Sequence, residues 1–492
     1  MSNMSPVPDE SDPLTSPRAL QLLATHPNTQ PAPSLRADVL HLVCLYSAAA
    51  IPAPDIPADL AHLITAIRAV QLPRAPIPLH APPLPSPGMS PKKAHEVARM
   101  AAYTVRLAAH LPEHTLRIVD IGAGQGYLTR ALKAHLPLAH ILALDADTEQ
   151  TRGAQRWEQR LLPDADPPIA HRVIFISPKS LLSTIDDWAN HDGPGPVPVL
   201  FVALHACGSL TPDVLRAFIA ATKNPSSNWY PAGLVAVGCC YNLMNPSDYP
   251  PSTRHLPISA YQLAAQIPSQ WLLPTDPPTL DPAVTLSIRK VTWRALLATA
   301  IENAIPAPIT STSTPTKKSA TVPARWSRSP DQDPAYQAPE SGTSDSPAMH
   351  RLGRLRDSAY ASWNTFLRAA EVKLGLRFRE DAFDPEGENE IEGTDGKPRG
   401  RDKSLENSLA VLHVMRCLLG PAIESAILRD RLHWVRQELG INSTQTSDQN
   451  QNTPKLRAEL VNLFDQATGS GRNVAIVVTP SASFPEFQSP SA

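Results

Sequence analysis

The chain has 492 residues, of which 54 are proline, and a formal net charge of -2 at pH 7. A near-neutral chain lacks the electrostatic footprint of a large nucleic-acid interface, but this leaves a small RNA substrate open. Five cysteines in a chain of this length argue against a secreted, disulfide-stapled protein, and no continuous apolar run approaches the ~18 residues that a membrane span needs. We therefore expect an intracellular protein, in the cytoplasm or the nucleus, without a membrane partner.

Proline-rich and low-complexity stretches interrupt the chain. Residues 1–35, 71–91 and 305–349 are rich in proline, and the last of these carries a Ser/Thr/Pro run with almost no apolar pattern. Such compositions favour linkers and tails because they bury too little apolar surface to fold. Residues 379–403 form a further acidic insert, and the residues from Thr479 are again rich in proline and serine.

A helix is predicted to begin at Ser90, because serine at the N-cap followed by proline at the first helical position is a typical helix start. The charged residues that follow allow two interpretations. They are the solvated face of an ordinary amphipathic helix, or they lie over the mouth of a ligand pocket. On the second interpretation Lys92, Lys93 and His95 belong to the substrate pocket.

The run Asp120-Ile-Gly-Ala-Gly-Gln-Gly-Tyr127 lies between an apolar stretch and a helical pattern. A strand, a glycine turn and a helix form a nucleotide-binding corner, since glycine lets the backbone approach a ligand closely. Asp145 ends the next predicted strand about 20 residues further on, where an acidic residue binds a ribose. The predicted cofactor-binding residues are Asp120, Gly122, Gly124, Gly126, Tyr127 and Asp145.

The details of this turn favour one cofactor. Gly126 comes one place earlier than the third glycine of a pyrophosphate-binding turn, and Asp120 precedes the first glycine. A carboxylate repels a phosphate but attracts the cationic sulfonium and amino groups of S-adenosylmethionine. The turn therefore predicts S-adenosylmethionine.

Further strands are predicted at Arg172–Ser177, Pro198–Leu204 and Gly233–Cys239, with a helix from Asp213 to Thr222. Continuous apolar strands that alternate with helices predict a parallel sheet covered on both faces, which is a doubly wound, Rossmann-like α/β fold. Ligands of such sheets bind at the carboxyl ends of the strands.

Two of these strand ends carry residues with reactive side chains: His205 and Cys207 on one, and Cys239, Cys240 and Tyr241 on the next. Three interpretations stay open. The thiols are buried small hydrophobes; or His205 or Tyr241 acts as a catalytic residue that orients or deprotonates an acceptor in a pocket that the cysteines line; or sulfur itself takes part in the chemistry. Because no C-x-x-C spacing is present, we predict no metal site.

Beyond the low-complexity segment, Ser358–Leu374 and Leu405–Leu439 have apolar residues at helical spacing and predict a helical pair. Leu460–Phe464 and Asn473–Val478 look like two strands. We assign these two strands to the same sheet, so that the domain is discontinuous in sequence.

Four motifs together resemble the signatures of the methyltransferase-like 25 family, whose relatives include a protein named for an rRNA adenine dimethylase domain. They are Met89–Val97, Val119–Leu128, Leu204–Leu210 and Val237–Asn242. Leu428–Leu432, Phe464–Asp465 and Gly471–Asn473 resemble closing motifs of that family, with Gln125 where the family usually has Lys, and Gln466 and Gly471 where it has Pro.

The resemblance implies a class I S-adenosylmethionine-dependent methyltransferase with an unidentified acceptor, RNA being somewhat favoured over protein. The alternative is a non-catalytic scaffold that keeps the fold. The predicted organisation is a Pro-rich tail with a short helical segment over 1–85, the methyltransferase core over 86–304, a disordered insertion over 305–349, the helical pair and closing strands over 350–480, and a disordered tail over 481–492.

Overall fold

The structure is a computed structural model. It describes residues 58–82, 88–111, 114–189, 195–224, 228–245, 258–266, 282–302, 304–306, 352–385, 400–441, 456–466 and 469–480, together with residues 226, 248, 256 and 271. The described residues fall into two compact units. The larger unit lies between residues 71 and 269 and from residue 420 onward, and the smaller unit comprises the other described residues.

The described α-helices are ten in number when single 3-10 turns are left aside, and the strands of the main sheet are seven. The helices are α1 Ala58–Ala69, α2 Pro91–Ala108, α3 Tyr127–His135, α4 Thr148–Leu161, α5 Pro178–Ala189, α6 Leu210–Lys223, α7 Ile258–Ala264, α8 Pro282–Glu302, α9 Trp363–Leu374 and α10 Lys403–Glu438. The strands are β1 Arg117–Ile121, β2 His140–Asp145, β3 Ala170–Val173, β4 Val197–Cys207, β5 Trp229–Cys239, β6 Leu456–Asn462 and β7 Val474–Pro480.

The sheet has the strand order β3-β2-β1-β4-β5-β7-β6. Strands β1 to β5 are parallel, β7 runs antiparallel to β5, and β6 runs antiparallel to β7. The two strands predicted near the end of the chain therefore belong to the sheet. The order reverses between β1 and β4, and the carboxyl ends beside such a switch point are where ligands of doubly wound sheets bind.

Both faces of the sheet are covered. Ile118 of β1 packs in one apolar cluster with residues of α2 and α3, while its neighbour Val119 packs in another with residues of α5 and α6. Successive strand residues point to opposite faces, so a strand that is apolar throughout is buried on both sides. This confirms the predicted doubly wound α/β fold.

The third strand differs from its prediction. It covers Ala170–Val173, and residues 174–177 continue as irregular backbone that leads into α5 at Pro178. Ser177 and Ser180 each accept a hydrogen bond from the other's backbone N–H, at 3.2 and 2.9 Å between nitrogen and oxygen. This reciprocal cap, with Pro178 at the first helical position, ends the strand early.

Residues 71–82, predicted as part of a linker, are held on the outer edge of the sheet. The Ile77 N–H donates to the Asn462 carbonyl of β6 at 2.9 Å, and the Asn462 side chain donates to the Pro73 carbonyl at 2.8 Å. Arg99 donates to the Ile77 carbonyl at 2.7 Å. The prolines prevent a regular strand, since they lack an N–H, but the segment still covers the edge.

The smaller unit has an aromatic core. Trp293 of α8 lies 6.2 Å from Tyr360 and 5.6 Å from Trp363, and Tyr360 stacks on Phe366 at 5.2 Å, measured between ring centroids. Such offset and edge contacts add stability beyond the buried area.

The first residues of the predicted insertion over 305–349 are ordered: Ile305–Pro306 pair antiparallel with Leu376–Arg377. Residues 307–349, most of the acidic insert (386–399) and the predicted tail over 481–492 lie outside the described residues.

Helix α10 has 36 residues and is the one described helix that is long and apolar enough, by length and composition, to cross a membrane. The sequence contains no unbroken apolar run of this length, so such a helix was not predicted. A few polar residues interrupt the apolar ones in α10, but they lower its mean hydropathy only a little. Of its most apolar window, 61% is buried inside the protein, which is typical of a core helix.

Candidate active site at the carboxyl ends of the strands

The glycine turn follows β1 and is tied to β2. The N–H groups of Gly122 and Ala123 donate to the Leu144 carbonyl at 2.8 and 2.9 Å. Gly122 and Gly124 have φ of +76° and +55°, a region that side chains disfavour. Among the described residues, and apart from its own chain neighbours, no atom lies within 4 Å of the position that a Cβ of Gly124 would take. The backbone at Gly124 is therefore open to a ligand.

Asp145 braces this turn from the end of β2. Its Oδ2 accepts a hydrogen bond from the Gly124 N–H at 2.8 Å, and its Oδ1 accepts one from the Asp147 N–H at 2.8 Å. The side chain is half-buried at the rim of the turn. Each carboxylate oxygen has a second lone pair, so Asp145 combines a bracing role with the capacity to accept hydrogen bonds from ribose hydroxyls.

Asp120 lies beneath the turn, and only 2% of its surface is exposed. Its Oδ2 accepts a hydrogen bond from the Thr129 hydroxyl of α3 at 2.6 Å. Burial raises the pKa of Asp120 to about 6, with a smaller contribution from the charge of Asp145. Asp120 is therefore buried behind the turn, where any effect on a ligand would come from its charge.

Gly126 and Tyr127 begin α3. A Cβ at Gly126 would lie 3.0 Å from the Ala154 Cβ of α4, so this glycine allows close packing of the two helices. The Tyr127 hydroxyl donates to the Gly88 carbonyl at 3.2 Å and thereby joins the turn to the segment before α2.

The three residues at the start of α2 that were predicted to line the pocket lie in three different surroundings. Lys93 Nζ lies 3.6 Å from Glu96 Oε2, on the side of the strand ends, whereas Lys92 is exposed. The His95 Nε2 accepts a hydrogen bond from the Asp465 N–H at 3.2 Å, so its ring faces the loop before β7. Of the three, Lys93 is part of the site through Glu96.

Glu96 is the site residue that the sequence interpretation missed. It is 1% exposed, and its Oε2 accepts a hydrogen bond from the His205 Nε2 at 2.8 Å. Burial opposes ionisation of this carboxyl, but the hydrogen bond and charge of His205, with Lys93 and Ser470, outweigh it and lower the pKa of Glu96 to about 2. A buried, charged carboxylate therefore holds the imidazole. The only sequence signal was the position of Glu96 one turn after the helix start.

His205 and Cys240 are the two non-glycine residues with positive φ in the described part of the chain, at +65° and +50°. His205 lies in a bulge of β4, where the register with β5 shifts between Ala203 and Ala206. A left-handed residue with a side chain costs about 1–2 kcal/mol. Such strain concentrates at functional sites, and here both residues lie at the carboxyl ends of neighbouring strands.

Three thiols converge at these strand ends. Cys207 and Cys239 are register partners in β4 and β5, and their sulfurs lie 3.0 Å apart. The Cys240 sulfur lies within 4.8 Å of both, and all three thiols are free. Hydrogen bonds from Cys207 and Cys239 and the positive charge of Arg472 lower the pKa of Cys240.

The structure does not support the predicted catalytic role of Tyr241. The residue is 1% exposed, and its hydroxyl donates to Glu424 Oε1 of α10 at 3.2 Å. Burial and the charge of Glu424 raise the pKa of Tyr241. The guanidinium groups of Arg431 and Arg472 lie 5.5 and 5.7 Å from its ring. Tyr241 therefore anchors the end of β5 in the core.

A separate cavity of about 780 Å³ lies in the smaller unit. Its walls include Trp293, Trp363, Arg401 and Glu406, and none of the predicted site residues lines it. The chemistry-bearing residues are instead those at the strand ends of the larger unit.

Residues 92–247 match the family model described as a methyltransferase domain. The matched region begins at the start of α2 and ends shortly after β5. It contains the glycine turn, Asp145, the Glu96–His205 pair and the three thiols.

Solved structures similar to this chain include an S-adenosylmethionine-dependent methyltransferase from Clostridium acetobutylicum, 12% identical over 29% of this chain and 50% of that one, with a TM-score of 0.19. A putative sarcosine dimethylglycine methyltransferase from Galdieria sulphuraria matches at 12% identity over 29% and 46%, with a TM-score of 0.20. Coclaurine N-methyltransferase bound to N-methylheliamine and SAH matches at 12% identity over 42% and 59%, with a TM-score of 0.21. The chain spans about half the length of these proteins.

Proposed function

We propose that this chain, whose residues 92–247 form a methyltransferase domain, transfers a methyl group from S-adenosylmethionine to an RNA acceptor. The observation that carries the proposal is one shared edge of the sheet, where an open glycine turn braced by Asp145 and a histidine held by a buried carboxylate both lie. RNA is the proposed acceptor because the four motifs resemble the methyltransferase-like 25 family, with its relative named for an rRNA adenine dimethylase domain.

S-adenosylmethionine is the methyl donor, and when bound it supplies an electrophilic methyl group on a cationic sulfur. The residues present fit it. The space beside Gly124 accepts a ligand that any side chain at this position would displace. Asp145 offers hydrogen-bond acceptors for ribose hydroxyls, and the Asp120 carboxylate lies beneath the turn, where its charge favours a cationic ligand.

His205 is the residue that we propose to manage the acceptor's proton. Its Nε2 is engaged with Glu96 at 2.8 Å, so Nδ1 is the ring nitrogen that takes a proton. The imidazolium formed in this way is stabilised by the Glu96 carboxylate, which also fixes the orientation of the ring. The side chain of His205 is 27% exposed, which leaves it accessible from the pocket.

Kinetics of His205→Asn test this assignment, since asparagine tolerates the left-handed backbone but lacks the imidazole. We expect the affinity for S-adenosylmethionine to stay within about threefold while turnover falls about 10²-fold or more. Full turnover in the variant would overturn the role of His205. Cofactor binding without any methyl transfer by the unaltered chain would favour a non-catalytic scaffold instead.

A further inference from the structure

We propose that Cys207, Cys239 and Cys240 form a binding site for a thiophilic divalent cation, with zinc the best match. Their three sulfurs lie within 4.8 Å of one another at the ends of β4 and β5. Cysteine thiolate is a soft ligand, and zinc is commonly bound by such thiolates in proteins. This proposal does not depend on which molecule accepts the methyl group, and it is tested by measuring bound metal.

Two of the sulfurs are not joined by a disulfide, and they lie closer together than two ligands of one zinc ion would. Cys207 and Cys239 are 3.0 Å apart, which is longer than the ~2.05 Å of a disulfide. Tetrahedral zinc with Zn–S bonds of ~2.3 Å places two sulfurs about 3.8 Å apart. Zinc binding at this pair therefore requires the two sulfurs to move apart by about 0.8 Å.

The strained backbone at Cys240 delivers the third sulfur. Consecutive residues of a strand point to opposite faces, so Cys239 and Cys240 would ordinarily direct their sulfurs apart. The φ of +50° at Cys240 ends that alternation and brings both sulfurs to the same side. Methyl transfer by His205 gives no reason for this strain, whereas convergence of three ligands on one ion does.

The charge around the cluster fits a cation held by thiolates. Three thiolates and one zinc ion carry a net charge of -1, and the Arg472 guanidinium lies close enough to Cys240 to interact with it electrostatically. Three protein ligands leave the fourth position of a tetrahedral zinc ion for a water or another ligand.

This proposal departs from the expectation of no metal, which rested on spacing along the chain. Cys207 and the Cys239-Cys240 pair belong to different strands, with α6 between them. Their proximity comes from the pairing of β4 with β5, where Cys207 and Cys239 are opposite each other. Three cysteines can therefore form a zinc site without a C-x-x-C motif, because strand pairing brings Cys207 to the other two.

Elemental analysis of the full chain tests the site. After reduction, exposure to zinc chloride and removal of the excess by gel filtration, we expect about one zinc per chain. The single variants Cys207→Ser, Cys239→Ser and Cys240→Ser should each lose zinc affinity by about tenfold or more. Cys417→Ala is the matched control, since it removes a buried thiol of the smaller unit. It should keep the metal.

Replacement of zinc by cobalt gives a measurement that does not depend on the folding of any variant. We expect the unaltered chain to show the near-ultraviolet absorption of sulfur-to-cobalt charge transfer on adding cobalt chloride. The proposal is overturned if neither metal binds, or if all three serine variants retain zinc.

Discussion

Glu96 Oε2 and His205 Nε2 lie 2.8 Å apart, and this hydrogen bond joins the first helix of the methyltransferase domain to the end of its fourth strand. The two residues are 109 positions apart in the chain. The bond connects a buried, charged carboxylate with an imidazole on a strained backbone. The orientation of the His205 ring therefore depends on Glu96.

The first prediction concerns Glu96→Gln, which keeps a hydrogen-bonding group but removes the charge. Turnover should fall about 10- to 100-fold while cofactor affinity is unchanged, because a neutral partner stabilises the imidazolium less. Initial rates and calorimetric titrations measure the two effects. Glu149→Gln is the matched control, since Glu149 pairs with Arg152 on the exposed side of α4. A variant with unchanged turnover contradicts the role of this pair.

Glu96 also gives stability a defined pH dependence. Its pKa falls from 4.5 to about 2 on folding, so its contribution is present above about pH 4.5 and is lost as the pH falls towards 2. We expect a contribution on the order of 1–3 kcal/mol to the free energy of unfolding, and Glu96→Gln should abolish this part of the acid transition. Urea unfolding at several pH values from 7 to 3 measures the free energy of unfolding of both proteins. The same pH dependence in the unaltered chain and in Glu96→Gln would contradict this prediction.

Asp120 has the opposite dependence. Its pKa rises from 3.8 to about 6 on folding, so its stabilising contribution is present below about pH 4 and is lost as the pH rises through 6. Asp120→Asn should therefore unfold at higher urea than the unaltered chain at pH 7.5, by on the order of 1–3 kcal/mol, and lose this advantage near pH 4. The same change should weaken cofactor binding. Equal stability of both proteins at pH 7.5 would refute the buried-charge account.

Cofactor binding should depend on the open space at Gly124. We expect S-adenosylmethionine to bind with a micromolar Kd, and Gly124→Asp to abolish binding, because its side chain fills the space that the ligand would take. Gly440→Asp is the matched control, with φ of +68° and equally open surroundings at the end of α10. Calorimetry showing equal heats for the Gly124→Asp variant and the unaltered chain would place the cofactor elsewhere.

Tyr241→Phe separates an anchoring role from a catalytic one. Loss of the hydroxyl leaves Glu424 without one partner and should lower the free energy of unfolding by about 1–2 kcal/mol. The rate per folded molecule should stay within about twofold, since the hydroxyl is buried away from the pocket. Thermal melts and initial rates on the same sample check both expectations. A tenfold or larger fall in rate would return Tyr241 to the catalytic residues.

The sequence predicted those parts of the site that depend on local pattern. The glycine turn and Asp145 are readable because strand, turn and helix are adjacent in the chain and impose fixed spacings. Glu96 was missed since its role depends on a contact with His205 across the fold. The anchoring role of Tyr241 was missed for the same reason, since its hydroxyl pairs with Glu424, which lies 183 residues away. Residues 71–82 were predicted to be a linker because they are rich in proline. Composition does not show that this segment packs on the edge of the sheet.

The most direct test of the central claim is transfer of labelled methyl from S-adenosylmethionine by the purified full chain. Its substrates are separate RNA, protein and small-molecule pools from cells that lack the protein, with the His205→Asn variant run in parallel. The account predicts label in the RNA pool with the unaltered chain and about 10²-fold less with the variant. Label confined to another pool would contradict the RNA acceptor, and cofactor binding without label in any pool would contradict the methyltransferase itself.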